Sequence, residues 1–190
     1  MKEKTMNLIR RICVVLGIAL LVAACLLLLT NLGSQKRSET YVNRLRLLMP
    51  QPQGAVPEER TDNTMAALSL DGVDFVGILE MPRYGAALPV GAQWGKSHQY
   101  PCCLSGSVHD GSIQIGTTSR KGQFDFYREI SVGDSIYFTD TSGSRYSYTV
   151  TDLRYESHAD QDALTRHDAD LTLFIKNIYG FEYIILFCDV

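Results

Sequence analysis

Three kinds of side chain in this sequence could do chemistry, and their placement decides what each is worth. Thiols come first. Cys102 and Cys103 are adjacent, and Cys188 lies two residues before the last position, Val190. A cysteine attacks as its thiolate, whereas zinc would need paired C-x-x-C spacing, which is lacking; no metal and no cofactor is expected. Adjacent cysteines rarely bond to each other. A bridge from Cys188 to one of them is geometrically open, but buried free thiols are the preferred reading. Imidazoles come second: His98, His109, His158 and His167 could serve as bases, yet all four lie in polar or turn-like stretches and read as surface residues. The third is a lysine. In "ADLTLFIKNIYGFEYIILFCDV" two apolar, β-prone runs, 171–175 and 181–187, flank an insert that begins with Lys176. Desolvated, its amine could act as nucleophile or base. At the mouth of a strand with its amine in water it does neither, and this second reading is preferred.

Those residues need a scaffold, and the composition supplies one. The chain has 190 residues, 45% of them hydrophobic, enough for one folded domain and an appendage. The formal charge is −3, but the first eleven residues carry +3, which leaves −6 on the rest and argues against a nucleic-acid partner. Residues 12–30, "ICVVLGIALLVAACLLLLT", hold no charge across 19 positions. As a helix they span roughly 28 Å, close to the hydrocarbon thickness of a bilayer. "VAAC" ending at Cys25 looks like a cleavage box, yet the apolar run continues past it, so an uncleaved single-pass anchor is the expectation. Lys and Arg number four on each side of the span. Because Arg10 and Arg11 abut it, the short tail 1–11 is placed inside and everything after it outside.

Residues 31–69 read as a juxtamembrane helix followed by a linker. Tyr41, Leu45 and Leu48 recur at helical spacing from a start at Ser34 or Ser38, and Pro50 ends the run. The Pro-rich, charged stretch 50–64 then reads as a tether that holds the next domain off the membrane. From residue 70 to 190 short strands dominate. "VDFVGILEM" and "AALPV" flank a turn at residues 82–85, "SIQIGT" is a third strand, and "FDFYREI" has helical character. "DSIYFTD" and "RYSYTVTDLRY" flank a turn at 141–144, the acidic "SHADQDALTRHDAD" reads as a short surface helix, and two strands close the chain. The expected fold is mostly β: a closed barrel with short helices, preceded by one transmembrane helix.

Four phrases within residues 73–190 resemble the sortases, membrane-anchored cysteine transpeptidases of Gram-positive bacteria. "VGILEMPRYGAALPV" is similar to the first strand, turn and second strand of that barrel, G-x-L-x-I-P-x-x-x-x-x-L-P-V. "PCCLSGSV" resembles a Pro-Cys-x-x-Ser-Gly-Ser phrase of class B-like members. "VGDSIYFTDTSGSRYSYTV" resembles the I-G-D-x-V-x-F-T-D hairpin, and "ADLTLFIKNIYG" the D-L-T-L-x-T-C strand end. All four stand in the family's order and spacing.

The resemblance implies a catalytic cysteine, histidine and arginine, and at those three positions the chain departs from it. The thiolate position is Lys176, preceded by Ile175 where the family has threonine. The histidine position, counted without a gap from Ser105 or back from Gly133, is Thr118. The oxyanion-binding arginine position, seven residues after Lys176, is Tyr183. A threonine cannot shuttle a proton as imidazole does, and a tyrosine hydroxyl replaces only part of an arginine fork. The sequence therefore reads as a degenerate, class B-like member without an intact catalytic residue, a pseudoenzyme at the cell membrane. Its expected partners are a sorting-motif peptide, a surface or pilin-like protein, or an active sortase. The alternative is an active divergent transpeptidase or hydrolase attaching surface proteins to the cell wall, with Thr118 and Lys176 facing each other as a hydroxyl–amine pair.

Overall fold

The computed structural model describes residues 2–54, 64–94, 99–157, 169–178 and 182–190, the side chains of 2–9 and 27–35 excepted. Helix α1 runs from Lys2 to Leu48 as one element of 47 residues. The expected start at Ser34 or Ser38 is thus no start, because the helix arrives there already formed; its end just before Pro50 is as expected, the ring of proline having no place in a continuing helix. Among the described residues no helix is long and apolar enough to cross a membrane. The expected span 12–30 is described in its side chains only as far as Leu26.

Ten strands follow α1 among the described residues: β1 (Gln53–Gly54), β2 (Leu68–Leu70), β3 (Val73–Met81), β4 (Ala86–Gly91), β5 (Cys102–Ser105), β6 (Ile113–Thr118), β7 (Ser135–Asp140), β8 (Ser144–Glu156), β9 (Leu171–Lys176) and β10 (Tyr183–Asp189). Hydrogen-bonded neighbours run β3-β4-β5-β6-β9-β10-β8-β7 and return to β3, so eight strands close a barrel, with β1 and β2 appended to β8 and β3. Closure removes the unpaired edges that an open sheet would expose. Every ring pair is antiparallel except β4–β5 and β6–β9, which are parallel. The period-2 alternation of the strands sends Ile113 and Ile115, Leu171, Leu173 and Ile175, and Ile184, Leu186 and Cys188 into the barrel core.

The segment after the apolar run is no free tether. The last turns of α1 lay Val42, Leu45 and Met49 on Leu70, Phe75 and Ile78, the outer face of the barrel. Arg46 reaches Glu80 at 2.6 Å and Arg44 reaches Asp71 at 2.5 Å. Residues 53–54 then pair with β8, and Thr141 donates to the carbonyl of Ala66, so both described ends of the linker are attached. Its middle, 55–63, lies outside the described residues, as does nearly all of the expected acidic surface helix. "FDFYREI" makes only one 3-10 turn, Tyr127–Glu129. The turn between β3 and β4 is a 3-10 turn capped by Gly85 at φ 60, a left-handed conformation that favours glycine.

Candidate functional site

Strands β6, β9 and β10 lie side by side, and their register brings the three sequence-derived positions into one row. Thr118, the last residue of β6, is opposite Lys176, the last of β9; Lys176 is opposite Tyr183, the first of β10. In each strand the neighbouring residue, Thr117, Ile175 or Ile184, is buried. Parity therefore sets Thr118, Lys176 and Tyr183 on the outer face, at one mouth of the barrel. The next row on that face is Gly116, Phe174 and Ile185. A Cβ on Gly116 would come within 2.5 Å of the Trp94 ring and 3.0 Å of Leu104. The glycine lets the indole lie against the strand, and Trp94 stays 41% exposed above it. The outer strip is thus apolar in its middle and polar at its end.

At the polar end the three side chains meet different surroundings. Thr118 is buried and donates its hydroxyl proton to Oε1 of Gln123 at 2.9 Å. Gln123 in turn donates its amide to the carbonyl of Gln99. Lys176 is exposed and its ammonium stands 5.9 Å from the centre of the Tyr183 ring, a cation–π distance. Among the described residues no hydrogen bond joins Thr118 to Lys176, so the hydroxyl–amine pair is adjacent in register without being coupled.

Two residues that sequence reasoning passed over hold the row together. The Ser119 N–H donates to the Lys176 carbonyl at 3.0 Å, and the Ile178 N–H donates to Ser119 Oγ at 3.2 Å. Ser119 Oγ lies 3.4 Å from Asn177 Oδ1, and the Asn177 N–H donates to the Glu182 carbonyl at 3.0 Å. Both side chains are buried. The signal was a small polar residue directly after each strand, where chain ends need side-chain partners. Beside Gln123 opens a cavity of about 220 Å³ between α1 and the β3–β4 region, lined also by Ser38, Tyr84, Leu88 and Phe126.

The other described candidates, the three thiols and His109, lie away from this row. Cys102, Cys103 and Cys188 are free thiols. Burial, with smaller contributions from Cys102 and Asp110, pushes the Cys103 thiol up to about 11. Burial also pushes Cys188 up, inside the barrel core as expected. Neither Cys103 nor Cys188 offers a thiolate at neutral pH. His109 occupies a turn before β6, the opposite end of that strand from Thr118, with its N–H on Ser107 Oγ. His98, His158 and His167 lie outside the described residues. Among the described residues no group of histidine, cysteine and carboxylate side chains could hold a metal.

With this geometry in view, the chain was compared with known proteins. No protein-family model and no curated protein matches it. Solved sortase structures share its fold. Sortase C from Clostridium perfringens SM101 aligns at TM-score 0.52 and 17% identity, over 60% of this chain and 68% of that one. Sortase C1 from Streptococcus agalactiae aligns at 0.53 and 19%, over 64% and 69%. Sortase A from Listeria monocytogenes aligns at 0.51 and 17%, over 60% and 86%. The fold is that of the sortase barrel.

Proposed function

We propose that this chain is a membrane-anchored, extracytoplasmic sortase-like protein that binds without cutting. Its ligand would be a sorting-motif peptide, a surface or pilin-like protein, or an active sortase held at the cell envelope. One observation carries the reading. The three family positions stand side by side at one barrel mouth, and they hold a committed threonine hydroxyl, a solvated ammonium and a tyrosine. Transpeptidation uses an ionised nucleophile and a group that gives a proton to the leaving amine and takes one from the acceptor, tasks suited to a thiolate and an imidazole; this row holds neither a thiol nor an imidazole. It does offer two donors, Lys176 and Tyr183, beside the apolar strip of Trp94 and Leu104, a surface suited to an extended peptide. A structure of Clostridium perfringens sortase C, 17% identical, contains the C-terminal cell wall sorting motif, which supports a peptide of that kind as ligand. The Pro-Cys-Cys-Leu-Ser-Gly-Ser phrase supports a class B-like placing, and the charge-free run 12–30 supports the anchor with the barrel outside the cell.

The register of Thr118 against Lys176 favours a second reading, a divergent hydrolase or transpeptidase. One experiment separates the two: mass spectrometry of sorting-motif peptides and an oligoglycine acceptor incubated with the full chain in lipid nanodiscs, beside the variant Thr118→His/Lys176→Cys/Tyr183→Arg. Peptide bound but uncut by the native chain, with turnover in the triple variant, is the expected result. Cleavage by the native chain that disappears in Lys176→Ala would replace the binding reading with the hydrolase.

A further inference from the structure

On the far side of the barrel the outer faces of β3, β7 and β8 form a second polar surface. Register sets Ile78 against Thr139, Thr139 against Arg145, and Glu80 against Tyr137. The last turn of α1 roofs this surface with Arg46 and Met49. Residues 50–52 close one side, held by the Gln53 N–H on the Gly143 carbonyl at 2.9 Å. Between roof and sheet lies a cavity of about 350 Å³ lined by Arg46, Met49, Pro50, Pro52, Ile78, Glu80, Thr139 and Arg145 among others. That volume is at the lower end for small-molecule sites, about 300–1,000 Å³.

Its lining has an unmet demand. Glu80 spends one carboxylate oxygen on Arg46 at 2.6 Å and the other on Arg145 at 2.9 Å. Among the described residues, two guanidiniums against one carboxylate leave a charge of +1, and each guanidinium has further N–H groups beyond the one given to Glu80. Arg145 also stacks on Tyr137 at 4.3 Å, which holds its face and leaves its edge available. Thr139 is 3% exposed, and its hydroxyl oxygen, itself without accessible surface, has no hydrogen-bond partner among the described residues. Met49, Pro50, Pro52 and Ile78 make the remainder apolar.

We infer that this cavity binds a small monocarboxylate with a short apolar body, its carboxylate between Arg46 and Arg145. One negative charge balances the +1. The fork geometry of arginine matches a carboxylate, and the apolar wall covers a chain of a few carbons. A phosphate dianion would overshoot the charge and leave that wall dry and unused. The carboxylate has two sources, a free organic acid or the C-terminus of a peptide ending in an apolar residue.

The test uses the full chain in lipid nanodiscs and calorimetric titration against empty discs. The probes are hexanoate and hexanamide, and acetyl-Gly-Leu with a free or an amidated C-terminus. At least one carboxylate binds, and its amide binds about tenfold more weakly. Hexanoate alone binding identifies a free acid, and the dipeptide alone a chain terminus. Arg145→Gln weakens the carboxylate about tenfold. Arg46→Gln, at the end of α1, weakens it to a similar extent. Failure of both carboxylates to bind, equal binding of acid and amide, or full affinity in both variants would overturn the inference. Arg46→Gln keeps the test valid should Arg145→Gln misfold.

Discussion

Lys176 keeps its charge at little cost because strand parity turns it outward one residue after the fully buried Ile175. Lys176→Ala should therefore change stability by less than about 0.5 kcal/mol, as at other open surface positions, measured by chemical denaturation. The costly polar residue is Asp134. It accepts from Tyr84 OH and Arg83, each at 2.5 Å, and from the Ser131 N–H at 2.9 Å. Burial alone would raise its pKa, but the hydrogen bonds from Tyr84, Ser131 and Arg83 prevail and hold it below the ordinary 3.8. A carboxylate with a depressed folded pKa stabilises the fold above its unfolded pKa and loses that contribution as pH falls through the folded one. Asp134→Asn should thus cost about 1–3 kcal/mol at neutral pH, and the gap in melting temperature between it and the native protein should close below about pH 4. A gap that persists at pH 2 would mean that the charge is not what matters. The thiols give a cleaner readout still: with Cys103 near 11, peptide mapping after brief iodoacetamide treatment at pH 7 should find Cys102, Cys103 and Cys188 unlabelled until the barrel is unfolded. The row Thr118–Lys176–Tyr183 was legible as three positions, through phrases in register. Its chemistry was not, since the Thr118 proton goes to Gln123 and the partners of Asp134 lie 50 and 51 residues away.

Elements whose apolar period is clean were legible to within a residue or two. "VDFVGILEM" is β3 without change, and the runs around the 141–144 turn became β7 and β8. Short elements that exist only through a partner were not: β1 has two residues and depends on β8, and β5 carries no alternation of its own beyond "CCLS". The turn at residue 106 shows the same dependence. Gly106 has φ 70, and a Cβ there would stand 1.9 Å from the Ser112 carbonyl oxygen, against backbone that cannot swing aside. Gly106→Ala combines strain with a clash and should cost at least about 2 kcal/mol. The role of α1 was half legible, as a period without a destination. Leu45 is fully buried against the barrel whereas Leu47, two residues on, is 85% exposed. Leu45→Ala should cost about 2–4 kcal/mol by leaving a cavity, and Leu47→Ala should be near neutral. Equal effects in equilibrium unfolding would show that the helix end does not rest on the barrel in solution.

At the scale of the whole molecule the two ends of α1 present their apolar residues in different ways. From residue 41 on, Tyr41, Val42, Leu45 and Met49 form one stripe, and the barrel covers it. From residue 12 to 26 the large apolar residues Ile12, Val14, Leu16, Ile18, Leu20 and Leu21 point to every side of the helix and are 55–68% exposed. A stripe can be satisfied by one neighbour, whereas a full ring needs an apolar medium all round, which is the physical content of the proposed anchor. The two demands are separable along one rod, so they make opposite predictions for truncation. The full chain should remain with the membrane pellet through alkaline carbonate washing. A chain lacking residues 2–30 keeps the docking stripe and should be released into solution with its melting temperature lowered by no more than a few degrees. Protease added to intact cells should digest the barrel of the full chain and spare the tail 1–11. Extraction of the full chain by carbonate would remove the anchor, and collapse of the truncated barrel would mean that the apolar ring is covered by the protein and not by lipid.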